Sequence, residues 1–216
     1  MKIPIEAALA LLHEASCGTL ATLSTQLPGY PYATATPFVL DEAHRPVFCV
    51  SALAEHTRNL VADSRTSLSV LKSEGAHVQS AARITLVGDT RPCSPAPDLV
   101  ARYLRYQPEA EQYLALDFQF FCLTPARLRF IGGVGKMGWL EETEWSALPA
   151  LPLQEEASLL KAVAFDTPPG IRLLGLDCFG IDYETGGKRQ RQRFPDAPLS
   201  PVKVGEVLSR VVSKLS

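Results

Sequence analysis

The feature that most limits the fold is a train of short extended segments joined by tight turns. Residues 19–24, 31–40 and 46–50 follow one another, with turn signals at Leu27-Pro28-Gly29 and across 41–45. Side chains on a strand alternate between faces, so Leu20 and Thr22 fall on the opposite count from Thr19 and Leu23. Further strands are predicted at 66–71, 81–89, 116–123 and 128–131, the last two parted by Thr124-Pro125-Ala126. About six antiparallel strands with few, short helices predict an α+β protein built on a six-stranded antiparallel barrel rather than a parallel sheet.

Helices are expected at 4–16, over a short stretch after residue 51, at 98–106 and at 110–114. Acids, Trp145 and two prolines change the character of 141–152, and a boundary is expected there. Beyond it, a helix at 153–164, strands at 171–176, 179–183 and 188–194, a hairpin signal at 184–187 and an amphipathic helix at 202–215 predict a small α+β unit. The expected division is therefore a barrel domain over 1–140 and a C-terminal domain over 153–216.

Composition excludes some function classes. With 46% hydrophobic residues, 20% charged residues and a net charge of -2, the chain has no global field to draw nucleic acid or anionic membrane. No apolar run approaches the ~20 residues of a membrane helix, and early acids and a proline argue against a secretory signal, so a cytoplasmic protein is expected. Cys17, Cys49, Cys93, Cys122 and Cys178 are scattered and odd in number, as for reduced core thiols. His13 and Cys17 share a helix face, but no second ligand pair accompanies them, so no metal is expected.

The densest polar stretch is 51–60, S-A-L-A-E-H-T-R-N-L, where a strand gives way to a helix. Unpaired N–H groups at a helix start favour anions, and Ser51, His56, Thr57, Arg58 and Asn59 would suit a phosphate. A capped surface helix explains the same residues. Arg83 alternates with Ile84 and Leu86 and reads as an inward charge, held by an acid or by a bound phosphate. Arg189, Arg191 and Arg193 share one strand face, either solvated or binding an anion or acidic partner. Residues 133–138 match G-x-G-x-x-G, but no long helix opens there, so a close-approach loop or tight turn fits better than a dinucleotide fold. No hydrolase constellation and no catalytic acid or base emerges.

Five motifs in order, G-T-L-A-T-L at 18–23, the 51–60 stretch, R-I-T-L-V-G at 83–88, D-F at 117–118 and I-G-G-V-G-K at 131–136, carry a family likeness. The chain resembles the pyridoxamine 5′-phosphate oxidase-like FMN-binding split barrels, in particular the haem-utilisation proteins of the HugZ/HutZ type. The resemblance covers about residues 5–140, and the final third is similar to the small domain of unknown function often fused behind that barrel. It implies a homodimer with FMN, or alternatively haem, near the subunit interface, and possible flavin-dependent oxidoreductase activity on a small molecule. By position, Ser51, His56, Thr57 and Asn59 fall at the phosphate, with Arg83 on a later strand that can reach it. His56 stands where many flavin-binding relatives have lysine. Haem-degrading relatives ligate iron with a histidine well after the glycine loop, whereas this chain has none after His77. The helix at the start of the C-terminal unit also lacks the asparagine and histidine of those relatives.

Overall fold

The computed structural model describes residues 5–72, 81–133 and 136–215. His77, Val134 and Gly135, singled out above, lie outside the described residues.

The chain opens with helix α1 (Ile5–Glu14) and builds one eight-stranded antiparallel sheet. Its strands are β1 (Cys17–Leu23), β2 (Pro31–Pro37), β3 (Val39–Leu40), β4 (Pro46–Ser51), β5 (Arg65–Leu71), β6 (Arg83–Pro92), β7 (Phe118–Ile131) and β8 (Met137–Glu141). Their order is β2-β1-β5-β6-β7-β4-β3, with β8 also pairing β7. Between them lie α2 (Glu55–Ala62), α3 (Pro97–Tyr106) and a 3-10 segment, Pro108–Tyr113. Alternation sets the core: Leu20 and Thr22, Leu68 and Val70, Ile84 and Leu86 are buried, and α1 covers them with Ala8, Leu9 and Leu12, so that Arg83, read as an inward charge, stands on the opposite face of β6 from Ile84 and Leu86.

The barrel carries more strands than expected, because the extended run 31–40 breaks into β2 and β3 and the glycine loop leads into β8. In the opposite direction, the two strands predicted at 116–123 and 128–131 are one. Pro125 does not end β7, because the ladder with β6 slips one residue between Val87 and Gly88, and a strand tolerates proline at such a bulge. The crossing is tight: a Cβ on Gly88 would stand 2.1 Å from the Thr124 carbonyl oxygen.

Past α4 (Glu142–Ser146), helix α5 (Leu153–Ala162), a three-stranded antiparallel sheet and α6 (Pro201–Val212) complete the fold. That sheet runs β11 (Lys188–Arg193), β10 (Gly180–Thr185), β9 (Ile171–Leu176). Its inward residues Leu176, Ile181 and Tyr183, with Val204, Leu208 and Val212 of α6, join the same buried cluster as the barrel core. A satellite cluster, Val39, Val47 and Cys49 with Tyr103, Tyr106 and Leu174, lies around α3.

Candidate functional site

The 51–60 stretch forms as predicted, with β4 ending at Ser51 and α2 opening at Glu55. Most of its polar atoms are committed to the fold. Thr57 Oγ1 donates to the Ser51 carbonyl at 2.7 Å, stitching the first turn of α2 to the strand end. Asn59 is fully buried: its Oδ1 accepts from the backbone N–H and hydroxyl of Thr25, both at 2.9 Å, and its Nδ2 donates to Thr22 Oγ1 at 3.0 Å. Ser51 Oγ donates to Asp117 Oδ2 at 3.0 Å, which sets a carboxylate beside the proposed phosphate position. Arg58 donates to the Leu53 carbonyl at 2.9 Å.

His56 differs. Its Nε2 is buried and has no hydrogen-bond partner, and burial lowers its pKa, so the ring is neutral at physiological pH. The N-cap, Ala54, offers no side-chain acceptor to the first N–H groups of α2. Arg83 stands elsewhere. Ser51 pairs with Phe118 at the start of β7, whereas Arg83 pairs with Ile131 at its end. At roughly 3.3 Å per residue, the strand path between those ends is on the order of 40 Å. Within one protomer the ladder therefore does not group Arg83 with Ser51; its Nη1 approaches the Ala81 carbonyl at 3.5 Å.

The arginine strand is not the solvated face of the first reading: of Arg189, Arg191 and Arg193, only Arg193 is exposed. Arg191 is sealed inside, its guanidinium spanning Asp177 at 2.6 and 2.7 Å and Asp182 at 2.6 Å. Arg189 donates to the carbonyls of Ala15 and Tyr106 and stacks over the Tyr106 ring, flooring an open polar cleft of ≈ 650 Å³. The alternation on β11 thus brings two guanidinium groups onto an inward face that needs acids to receive them.

Those acids belong to a cluster of buried groups that no sequence pattern announced. Asp182 accepts from Arg191, from Tyr106 Oη at 2.5 Å and from His13 Nδ1 at 2.6 Å. Asp177 accepts the backbone N–H groups of Phe179 and Gly180 at 2.7 and 2.9 Å. Burial alone would push both carboxyls up, but the Arg191 charge overrides it and holds both well below the usual range. Gly175 makes room for the Tyr106 hydroxyl, which a Cβ there would meet at 2.0 Å. Next to it, Arg102 pairs with Glu156 and donates to the Leu40 carbonyl at 2.8 Å, while Arg105 reaches Glu156 Oε2 at 2.9 Å. Nothing along the sequence joins His13 to residues 177 and 182; the alternating arginines were the one available hint.

Comparison with known proteins gives this architecture a family. A model described as "CREG, beta-barrel" matches residues 5–147. The chain belongs to the CREG β-barrel family. It is 30% identical over 160 residues to the Arabidopsis thaliana protein named non-canonical heme oxygenase HOZ, chloroplastic. That match covers 71% of this chain and 49% of the plant protein, so the chain spans about half the length of that curated relative. A solved haem-binding protein from Mycobacterium smegmatis aligns at 26% identity and TM-score 0.63, covering 99% of this chain and 97% of that one. Agrobacterium tumefaciens Atu2129, of unknown function, shares the fold at TM-score 0.74 and 22% identity over 98% of this chain and 94% of its own. The haem-utilisation likeness read from the five motifs is borne out. Among the described residues, no helix of this CREG-family chain is long and apolar enough to cross a membrane.

Proposed function

We propose that this CREG-family protein is a cytoplasmic haem-binding protein that handles haem as a homodimer. The observation that carries the reading is the correspondence with the Mycobacterium smegmatis haem-binding protein, which runs through the barrel and the C-terminal sheet alike. The plant relative adds a second haem-related protein at 30% identity over 160 residues.

The residues present fit the group at one point. His56 offers a buried imidazole nitrogen without a partner, kept neutral by its surroundings, which is the form that ligates iron. Bound haem would supply iron-centred oxygen or electron chemistry. The chain's own part is binding: His56 would hold the iron, while Ser51, Thr57 and Asn59 shape the turn that carries it. Titrating purified protein with haemin and recording the Soret band tests this. Stoichiometric binding that His56→Ala weakens supports it; a spectrum identical to free haemin overturns it.

A second reading is an FMN-binding split barrel, with flavin-dependent oxidoreductase activity. The uncapped start of α2 favours it, since those N–H groups suit a phosphate. Asp117 beside Ser51 and the placement of Arg83 at the far end of β7 weigh against it within one protomer. Flavin retention through gel filtration, with quenched flavin fluorescence, would support that reading over haem.

A further inference from the structure

Three side chains from distant segments converge in the interior where the barrel meets the second sheet. They are His13 of α1, His44 in the turn between β3 and β4, and Asp177 in the turn between β9 and β10. One donor atom from each lies within 4.8 Å of the others. Asp177 Oδ2 is 3.1 Å from His13 Nε2 and 3.9 Å from His44 Nδ1. The three residues are 4%, 1% and 5% exposed.

Outer contacts assign the tautomers. His13 Nδ1–H donates to Asp182 at 2.6 Å, and His44 Nε2–H donates to the Pro149 carbonyl at 3.3 Å. This turns the lone pairs of His13 Nε2 and His44 Nδ1 toward the centre, the carboxylate–histidine and carbonyl–histidine arrangement that supports metal ligands. His44 Nδ1 is buried without a hydrogen-bond partner, whereas His13 Nε2 faces Asp177 Oδ2 at 3.1 Å. His44 also holds φ at 59°, a left-handed conformation disfavoured for a residue with a Cβ, and such strain persists where the surroundings require it.

Partner counting decides what belongs at the centre. A proton between His13 Nε2 and Asp177 Oδ2 would join those two but would leave His44 Nδ1 without a partner. A metal ion engages both nitrogens and the carboxylate together.

We propose that His13, His44 and Asp177 form a site for one divalent transition metal of the zinc class, fastening α1 and the β3–β4 turn to the second sheet. Two imidazole nitrogens and one carboxylate oxygen are a donor set suited to such an ion, with bonds of about 2.0–2.2 Å. Tetrahedral ligands at that range stand roughly 3.3–3.6 Å apart, so the three donors, which lie within 4.8 Å of one another, draw together by at most about 1.5 Å. Asp177 Oδ1 is taken by the Phe179 and Gly180 N–H groups and by Arg191, and Oδ2, also 2.7 Å from Arg191, is the oxygen that faces both imidazoles. The edges of Phe179 and Trp145 flank the His44 ring and shield the centre.

The test uses the full chain expressed in medium supplemented with Co2+ or Zn2+, then dialysed against metal-free buffer. Elemental analysis should give about one equivalent, with tetrahedral d–d bands for the cobalt form. His44→Ala should drop retention to under about a tenth of an equivalent while the far-ultraviolet circular dichroism stays native, and His44→Gln should do the same. No retained metal in the wild-type chain, or undiminished retention in a folded His44 variant, overturns the proposal and leaves the centre to a proton.

Discussion

Nδ1 of His13 lies 2.6 Å from Oδ2 of Asp182, a contact across 169 residues that joins the first helix to the middle strand of the second sheet. Asp182 also receives Arg191 and Tyr106, so one carboxylate satisfies three buried donors. Replacing it by alanine leaves a guanidinium, an imidazole and a phenol without their acceptor. Breaking a buried ion pair from one side typically costs about 3–5 kcal/mol. Asp182→Ala is expected to lose that much in urea unfolding, whereas Arg193→Gln, at the exposed end of β11, should stay within about 0.5 kcal/mol of wild type. Equal, small losses for both would show that the cluster does not hold the two sheets together.

Asn59 separates structure from ligand binding in the 51–60 stretch. It makes three hydrogen bonds to Thr22 and Thr25 from a fully buried position. Asn59→Ala is expected to cost about 2–3 kcal/mol of stability, each bond being worth roughly 1 kcal/mol net. Haem affinity of the folded fraction should fall far less than in His56→Ala. His56→Ala should show the reverse, losing haem affinity with little change in unfolding midpoint.

The Asp63–Arg65 pair gives a direct pH test. Arg65 donates to both Asp63 oxygens, and this lowers the Asp63 pKa from 3.8 to about 2. Its contribution to stability is therefore present above pH 3.8 and is lost as pH falls through about 2. The pair is exposed, so the stability effect is small and salt-sensitive. NMR titration should give a midpoint near 2 in wild type, returning toward 3.8 in Arg65→Gln; a midpoint near 3.8 in both would show the pair does not form in solution.

Cysteine reactivity should divide by environment. Burial pushes the Cys122 thiol up to about 12 and those of Cys49 and Cys178 up to about 11, while Cys17 is exposed. The thiolate is the nucleophile, so at pH 8 a disulfide reagent should label Cys17 rapidly and those three only on unfolding. Mass mapping of the labelled native protein checks this, and fast labelling of Cys122 would contradict the packing around β7.

Much of the fold was legible because half-buried strands write their faces into the sequence. Alternation put Leu20 with Thr22 and Ile84 with Leu86 on shared faces, and all four are buried; Arg83, read as the inward charge, is on the opposite face of β6 from Ile84 and Leu86. Pro125 misled, since a proline reads as a break unless the bulge at Gly88 is known, and that bulge depends on the neighbouring strand. The 51–60 turn was legible as a junction. That its polar atoms serve the fold was not, because their partners Thr22, Thr25 and Asp117 come from distant parts of the chain. Arg191 was visible only as one member of an alternating row. Its inward direction depends on Asp177 and Asp182 across a hairpin and a turn, and on His13 at the other end of the chain.

The proposed binding of haem through the α2 turn is tested most directly by a haemin titration monitored at the Soret band. Wild type should give a saturating, stoichiometric Soret shift that His56→Ala abolishes or weakens at least about tenfold, a loss of roughly 1.4 kcal/mol in binding. A wild-type spectrum unchanged from free haemin, or a His56→Ala titration superimposable on wild type, would contradict it.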